Sequence, residues 1–176
     1  MSRNGNQKKD SMELIGKESV NTERMTRAEL FQDLVFSLAR RSTCKRAQVG
    51  AILVRKNRVI GTGYNGVPRG VSHCLDIGCF TRSGHRCRST IHAEVNAILS
   101  AGVSGYGEGP LELWCTLRPC LDCIKMAIAV GVNRIYYFTH REDEDAAAYE
   151  DHLDRFGSTK LIDIVWVNID RRKNGN

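Results

Sequence analysis

The hydrophobic positions of this chain change period several times, and each change marks an element. Up to about residue 25 no period is sustained, so residues 1–25 read as a flexible tail. Thr26-Arg-Ala-Glu29 then has capping-box spacing: the Thr hydroxyl accepts from the third helical amide and the Glu side chain reaches back. Leu30, Leu34, Val35 and Leu38 follow at helical spacing and predict a first helix ending near Ser42. Ala47–Val54 and Val59–Tyr64 predict two strands joined by a tight turn at Lys56-Asn57-Arg58. The Gly- and Cys-bearing stretch from Asn65 to Thr90 shows neither period and is too long for an idle connection. Beyond it the pattern predicts a helix over His92–Ala101, a strand over Leu111–Thr116 and a helix over Cys120–Val130. A strand over Arg134–Phe138, a helix in the acidic segment up to Phe156 and a last strand over Leu161–Val167 complete the series. A hairpin followed by alternating strands and helices predicts an α/β sheet of about five strands, covered on both faces.

With 176 residues, 41% of them apolar, the chain suits one domain with a proper core. That domain is expected over residues 26–169, with a short basic tail at 170–176. Apolar runs are short and interrupted, far from the ~18 residues that span a bilayer, and the N-terminal segment has no apolar export signal. A cytoplasmic protein with no membrane partner is the expectation. The 26 Lys and Arg against 20 Asp and Glu give a formal charge of +6, but its placement matters more. Between Leu34 and Ala93 eleven Lys and Arg face one acid, Asp76, whereas Glu142–Asp154 holds seven acids and no Lys or Arg. The basic half reads either as a solvated surface or as a field that attracts a phosphate-bearing ligand. Without aromatic interleaving, the tails do not read as a nucleic-acid surface.

Seven cysteines at positions 44, 74, 79, 87, 115, 120 and 123 change the picture. Without an export signal a disulfide framework is not expected, which leaves metal binding or core packing. The chemistry gathers in two segments, His92-Ala93-Glu94 and Pro119-Cys120-Leu121-Asp122-Cys123, each opening a predicted helix. A histidine and two thiolates are the three protein ligands of a catalytic zinc, with the fourth position left to water. Residues three apart on a helix share a face, so Cys120 and Cys123 can grip one ion. Helix N-termini favour the deprotonated thiolates. Glu94, two residues past the histidine, can hydrogen-bond a metal-bound water without being a ligand. Zinc lowers the pKa of its water from about 15.7 to about 7, and a carboxylate beside it can carry protons to a ring nitrogen and a leaving amine. The H-x-E…P-C-x-x-C pattern is that of zinc deaminases acting on cytosine or adenine.

Besides HAEVNAI and TLRPCLDC, the chain shows QVGAILV in its first strand and GYNGVPRG entering the long loop. From about Glu29 to Val167 it resembles the deoxycytidylate (dCMP) deaminase family of the cytidine deaminase-like superfamily. That resemblance implies a three-layer α/β/α sandwich around the mixed sheet, and conversion of dCMP to dUMP plus ammonia. It implies His92, Cys120 and Cys123 as zinc ligands and Glu94 as the proton shuttle. It also implies Asn65 as a contact to the nucleotide sugar, with the backbone of Ala93 and the Thr116–Leu117 region holding the pyrimidine edge. Some family members are allosteric hexamers, activated by dCTP and inhibited by dTTP with Mg2+, and GYNGVPRG is similar to the segment implicated. A homo-oligomer, with a hexamer favoured, follows as an expectation. A monophosphate needs positive charge at the site mouth; Arg46, just before the QVGA strand, is the first choice, a plain surface arginine being the other reading.

Two other classes remain open at this level. A nucleic-acid (tRNA adenosine) deaminase shares H-A-E and P-C-x-x-C, but the near-neutral body of this chain does not favour broad phosphate-backbone binding. A purely structural zinc module would not need Glu94. A bifunctional riboflavin-pathway deaminase carries HAEVNA too, but spaces its cysteines further apart. Of the five remaining cysteines, Cys115 lies in the strand-like LELWCT and reads as a core thiol. Cys44, Cys74, Cys79 and Cys87 flank or occupy the long loop, which has few bulky apolar residues to hold it. A second, structural zinc on these four is the expectation, with His85 replacing Cys79, or His73, as competing ligands and free thiols as the remaining reading.

Overall fold

The structure, a computed structural model, describes residues 24–80, 87–102, 108–140, 149, 151, 154 and 162–169. The elements are α1 (Arg27–Ala39), β1 (Gly50–Arg55), β2 (Arg58–Tyr64), α2 (Cys74–Ile77), α3 (Ala93–Ala101), β3 (Leu111–Leu117), α4 (Leu121–Ala129), β4 (Arg134–Thr139) and β5 (Asp163–Trp166). The expected tails fall almost wholly outside the described residues. So does most of the acidic segment, of which Tyr149, Asp151 and Asp154 are helical.

Helix α1 starts at the capping box: Thr26 accepts from the Glu29 amide while the Glu29 carboxylate takes the Thr26 amide. Its buried stripe is Phe31, Val35 and Ala39, one turn apart, rather than the stripe through Leu30 and Leu34, which stay exposed. The rotation has a cause on the sheet. Phe31 meets Trp114 edge-on at 5.1 Å, Trp114 stacks on Tyr136 at 3.9 Å, and Arg27 lies over both Phe31 and Trp114 while pairing with Glu112. The helix ends at Ala39, earlier than the sequence pattern suggests.

The sheet runs β2-β1-β3-β4-β5. Strand β1 is antiparallel to both β2 and β3, and β3, β4 and β5 are mutually parallel. Strand alternation sorts the core into two clusters. Ala51, Leu53, Leu113, Cys115, Ile135 and Tyr137 face α3 and α4, while Ile52, Val54, Trp114 and Phe138 face α1. This is the three-layer α/β/α arrangement, and it explains why β1 reads as an unbroken apolar run. The β1–β2 turn is two residues, Lys56 and Asn57, both at positive φ (47° and 62°), the backbone that right-twisted hairpins favour.

Strand β1 begins at Gly50, not at Ala47, because Asn65 takes the place of a ladder partner for the preceding residues. Its Oδ1 accepts from the Val49 amide and its Nδ2 donates to the Ala47 carbonyl, both at 2.8 Å. The strand directions bring four chain ends to one edge of the sheet. These are the start of β1 and the ends of β2, β3 and β4, since Gly50 pairs with Tyr64 and Leu117 with Thr139. A bridge between Gly66 and Ile91 brings the start of α3 to the same edge.

Candidate functional site

Helix α3 is pinned to β2 by close backbone approach. A Cβ on Gly63 would stand 2.2 Å from the Ala93 carbonyl oxygen, and one on Gly61 2.3 Å from that of Ala97. Only hydrogens fit there. Two side chains rivet the contact: Asn96 Nδ2 donates to the Tyr64 carbonyl at 2.8 Å, and Ser100 Oγ exchanges hydrogen bonds with the backbone of Thr62. Helix α4 follows directly from the end of β3.

His92 is the N-cap of α3 and Cys120 the N-cap of α4, and neither side chain caps its own helix. They meet each other instead. His92 Nδ1 lies 3.3 Å from Cys123 Sγ and 3.5 Å from Cys120 Sγ. Tetrahedral zinc with Zn–N of ~2.05 Å and Zn–S of ~2.3 Å implies N···S edges of about 3.5 Å, so the donor set fits that ion. All three donor atoms lie within 4.8 Å of one another.

The electrostatics agree with the geometry. A hydrogen bond from Cys123 outweighs burial and, with His92 and the Cys123 amide, holds the Cys120 thiol down at about 3. The Cys123 thiol is pushed up by that same hydrogen bond, by burial and by the Glu94 carboxylate. The two sulfurs thus shift in opposite directions, and a divalent cation between them would favour both as thiolates. Glu94, the second residue of α3, is 1% exposed and lies against Cys123. The first helix turns of α3 and α4 supply backbone N–H groups around this cluster.

A second group of thiols gathers on the long loop. Cys74, Cys79 and Cys87 place their sulfurs within 4.8 Å of one another, with Cys74 and Cys87 3.8 Å apart, the S···S edge of about 3.8 Å that four-coordinate zinc implies. Burial, then Cys87, pushes the Cys74 thiol up to about 11. Burial also opposes ionisation of Cys87, but the Ser89 amide, Cys74 and the Phe80 amide bring it down to about 7. Cys44 is outside this group of three, yet close enough that its charge raises both Cys74 and Cys79. The Arg46 amide donates to Cys44 Sγ at 3.4 Å. His73 is the N-cap of the short α2, and His85 lies outside the described residues. Cys115 is fully buried in β3, as a core thiol should be, with its Sγ 3.4 Å from the Tyr136 carbonyl.

The remaining candidates reach the same edge but in different states. The Asn65 carboxamide braces residues 47–49, which leaves one Nδ2 hydrogen for a ligand. Ser42 joins this frame, donating to the Asn65 carbonyl and accepting from the Cys44 amide. Thr116 is committed to the framework: its Oγ1 accepts from the Gly50 amide and its carbonyl from the Thr139 hydroxyl. Ala93 is fully buried and Arg46 is exposed. Sequence reasoning passed over Arg118 and Tyr149, both buried and both packed against the Cys120 turn. The available signals were an arginine at the end of an apolar strand and a lone aromatic in an acidic segment.

A histidine and a Cys-x-x-Cys pair at two helix starts, with a buried glutamate beside them on an α/β/α sheet, form a candidate metal site with the donor pattern of the nucleobase-deaminase class. Residues 25–139 match the family described as the cytidine and deoxycytidylate deaminase zinc-binding region, and the chain belongs to that family. It is 43% identical over 115 residues to the ComE operon protein 2 of Bacillus subtilis, an alignment covering 65% of this chain and 60% of that one. It is 38% identical over 121 residues to the deoxycytidylate deaminase of Schizosaccharomyces pombe, covering 62% of this chain and 36% of the yeast protein. The chain therefore spans less than two thirds of the length of these relatives. Among solved structures, the dCMP deaminase of cyanophage S-TIM5 in complex with dCMP and dUMP superposes with a TM-score of 0.63 at 28% identity. That superposition covers 82% of this chain and all of the phage one.

Proposed function

We propose that this protein hydrolyses the 4-amino group of dCMP, giving dUMP and ammonia. The observation that carries the reading is the convergence of His92 Nδ1 with the Cys120 and Cys123 sulfurs beside the buried Glu94 carboxylate. The deoxycytidylate deaminase relatives and the dCMP- and dUMP-bound phage structure support the choice of substrate.

His92, Cys120 and Cys123 would hold a zinc ion. When bound there, zinc supplies a water acidified to a pKa of about 7. Glu94 would do the proton work: it takes one proton of the attacking water and delivers it to ring N3, then takes the second from the new hydroxyl on C4 and gives it to the departing amine. Atoms balance as dCMP plus water giving dUMP plus ammonia. The Ala93 amide, in the first turn of α3, faces no intrahelical acceptor and offers a donor to the pyrimidine edge. Asn65 offers its second Nδ2 hydrogen to the sugar, and the Thr116–Leu117 region, which also positions the start of β1, would hold the pyrimidine edge with Ala93. Arg46, exposed at the same edge, supplies charge for the 5′-phosphate.

Cys44, Cys74, Cys79 and Cys87 would hold a second, structural zinc that closes the long loop onto the end of α1. Wild-type protein then carries two zinc per chain, and Cys74→Ser/Cys79→Ser carries one; a single zinc in carefully purified wild type removes this second site. Regulation by dCTP and by dTTP with Mg2+, acting through the GYNGVPRG segment of a hexamer, belongs to the same reading. Hyperbolic dCMP kinetics indifferent to both nucleotides, or a monomer by sedimentation, would remove it. Among the described residues no helix is long and apolar enough to cross a membrane.

The deciding experiment is ammonia release from dCMP, dCTP, CMP, deoxycytidine and 5-methyl-dCMP, run beside adenosine-to-inosine conversion in a tRNA pool. Preferred turnover of dCMP is expected. Inosine formation without dCMP turnover would replace this function with a nucleic-acid deaminase.

A further inference from the structure

The turn that carries Cys120 is gripped from a segment 30 residues away. Tyr149, 2% exposed, donates its hydroxyl to the Pro119 carbonyl at 2.9 Å. The Arg118 guanidinium, itself 7% exposed, lies over the Tyr149 ring with its carbon 4.0 Å from the centroid. The Arg118 amide donates to the Thr139 carbonyl at 2.8 Å, at the end of β4. Three successive residues, Arg118, Pro119 and Cys120, are therefore fixed by β4 on one side and by Tyr149 on the other.

We propose that Tyr149, held by Arg118, is a positioning residue for the Cys120 sulfur. The argument follows the covalent geometry. The Pro119 carbonyl belongs to the peptide unit that leads into Cys120, so fixing that oxygen fixes the plane from which the Cys120 Cα projects. Cys120 is an N-cap with extended backbone (φ −78°, ψ 163°): its carbonyl accepts the first helical bond, from the Ile124 amide at 3.0 Å, so the peptide on its Pro119 side is the end that the helix does not hold. Its only remaining freedom is then χ1, which His92 and Cys123 settle by contact. Pro119 is fully buried, and a buried carbonyl left without a donor would turn to find one and carry the cysteine with it. The cation–π stack keeps the Tyr149 ring from rotating away from this bond. A tyrosine placed only to fill the core would not need its hydroxyl aimed at the one carbonyl that precedes the ligand.

This proposal rests on the reading of Cys120 as a zinc ligand, and its test separates the two. Zinc-loaded protein is mixed with a chromophoric chelator, and release is followed in wild type, Cys120→Ala and Tyr149→Phe, with the unfolding midpoint measured on each. The release phase absent from Cys120→Ala is that of the His92/Cys120/Cys123 site. In Tyr149→Phe, which keeps the ring and the stack, that phase should quicken roughly tenfold, the low end of what losing a ligand's supporting partner costs. Release from the thiol cluster on the long loop should not change. The Co2+-substituted protein should show an altered thiolate-to-metal absorption band. A Tyr149→Phe protein that releases zinc at the wild-type rate with an unaltered Co2+ band overturns the proposal and leaves the ligand reading intact, as does acceleration of every zinc in parallel with a lowered midpoint. A Cys120→Ala protein with full zinc content overturns both. Should Tyr149→Phe not fold, Arg118→Lys, which keeps the charge but loses the flat stack, carries the same expectation and the same refuting result.

Discussion

Replacing Gly63 by Ala should damage the candidate site by pushing on the backbone of α3, without altering any side chain in it. The added methyl would stand 2.2 Å from the Ala93 oxygen and 2.4 Å from the Ala97 nitrogen, both backbone atoms of α3 that no rotamer change can move. Ordinary contact needs about 3.4 Å, so β2 and α3 must part by roughly 1 Å. That movement stretches the 2.8 Å bonds from Asn96 to Tyr64 and from Ser100 to Thr62 beyond useful length. Overpacking costs about 1–3 kcal/mol, and two or three hydrogen bonds add about 1 kcal/mol each, which places the loss near 3–5 kcal/mol. For a domain of this size Tm falls by about 2–4 °C per kcal/mol, so a drop of roughly 10 °C is expected. His92 and Glu94 ride on the end of α3 that moves, and a misplacement of about 1 Å is enough for a ~10²-fold loss of turnover. Thermal unfolding followed by circular dichroism, with a dCMP assay at a temperature where the variant is folded, measures both effects. Gly66→Ala is the control: its Cβ is tight only against the Thr43 hydroxyl, at 3.2 Å, with the Tyr64 ring in ordinary contact at 3.8 Å, and should leave Tm nearly unchanged. A Gly63→Ala protein with wild-type Tm and turnover would refute the claim that this close approach sets the position of α3.

Glu94→Gln keeps the shape of a side chain that is 1% exposed, so fold and zinc content should persist while turnover falls by roughly 10²–10⁴; near-normal dCMP turnover would sink its role as proton carrier. Cys115→Ser should leave the zinc count untouched, because that sulfur faces the Tyr136 carbonyl and neither thiol cluster; a lost zinc would contradict this. Arg46→Ala should lower the preference for dCMP over deoxycytidine, measured as the ratio of kcat/KM values. An unchanged ratio would move the phosphate contact elsewhere.

The elements that the sequence revealed are those whose pattern follows local rules. The capping box at Thr26, the paired start positions of His92 and Cys120, and the alternation of strands with helices all appear where expected. The buried face of α1 did not. Leu30 and Leu34 are better hydrophobes than Ala39, yet the stripe is chosen by Trp114 and by the glycine at position 50, neither of them near in sequence. The convergence of His92, Cys120 and Cys123 was legible because ligand chemistry restricts residue type and spacing together. Asn65 was legible as a polar residue of interest, but its bracing of residues 47–49 was not, since it replaces a strand ladder by side-chain bonds. Arg118 and Tyr149 carried no spacing rule at all. Their pairing exists only after the β3–α4 turn and Tyr149 have come together.

The sheet directions account for why residues so far apart in sequence share a site. Had β1 run parallel to β3, its start, with Cys44, Arg46 and the Asn65 brace, would lie at the opposite end of the sheet from Cys120. The antiparallel hairpin instead returns the end of β2 to the start of β1, and Gly66 then pairs with Ile91, one residue before His92. The parallel β3–β4 pair delivers the Cys120 turn and Thr139 to that edge. Charge can therefore gather there without loading the core, since both faces of every central strand are already spent on apolar contact. Among the described residues the far edge carries the Lys56-Asn57 turn and none of the candidate ligands; there Asn57 accepts from the Arg27 guanidinium and so ties the hairpin to α1. Mixed strand direction, rather than any single motif, is what lets one short chain assemble a histidine, two thiolates and a buried carboxylate around one point.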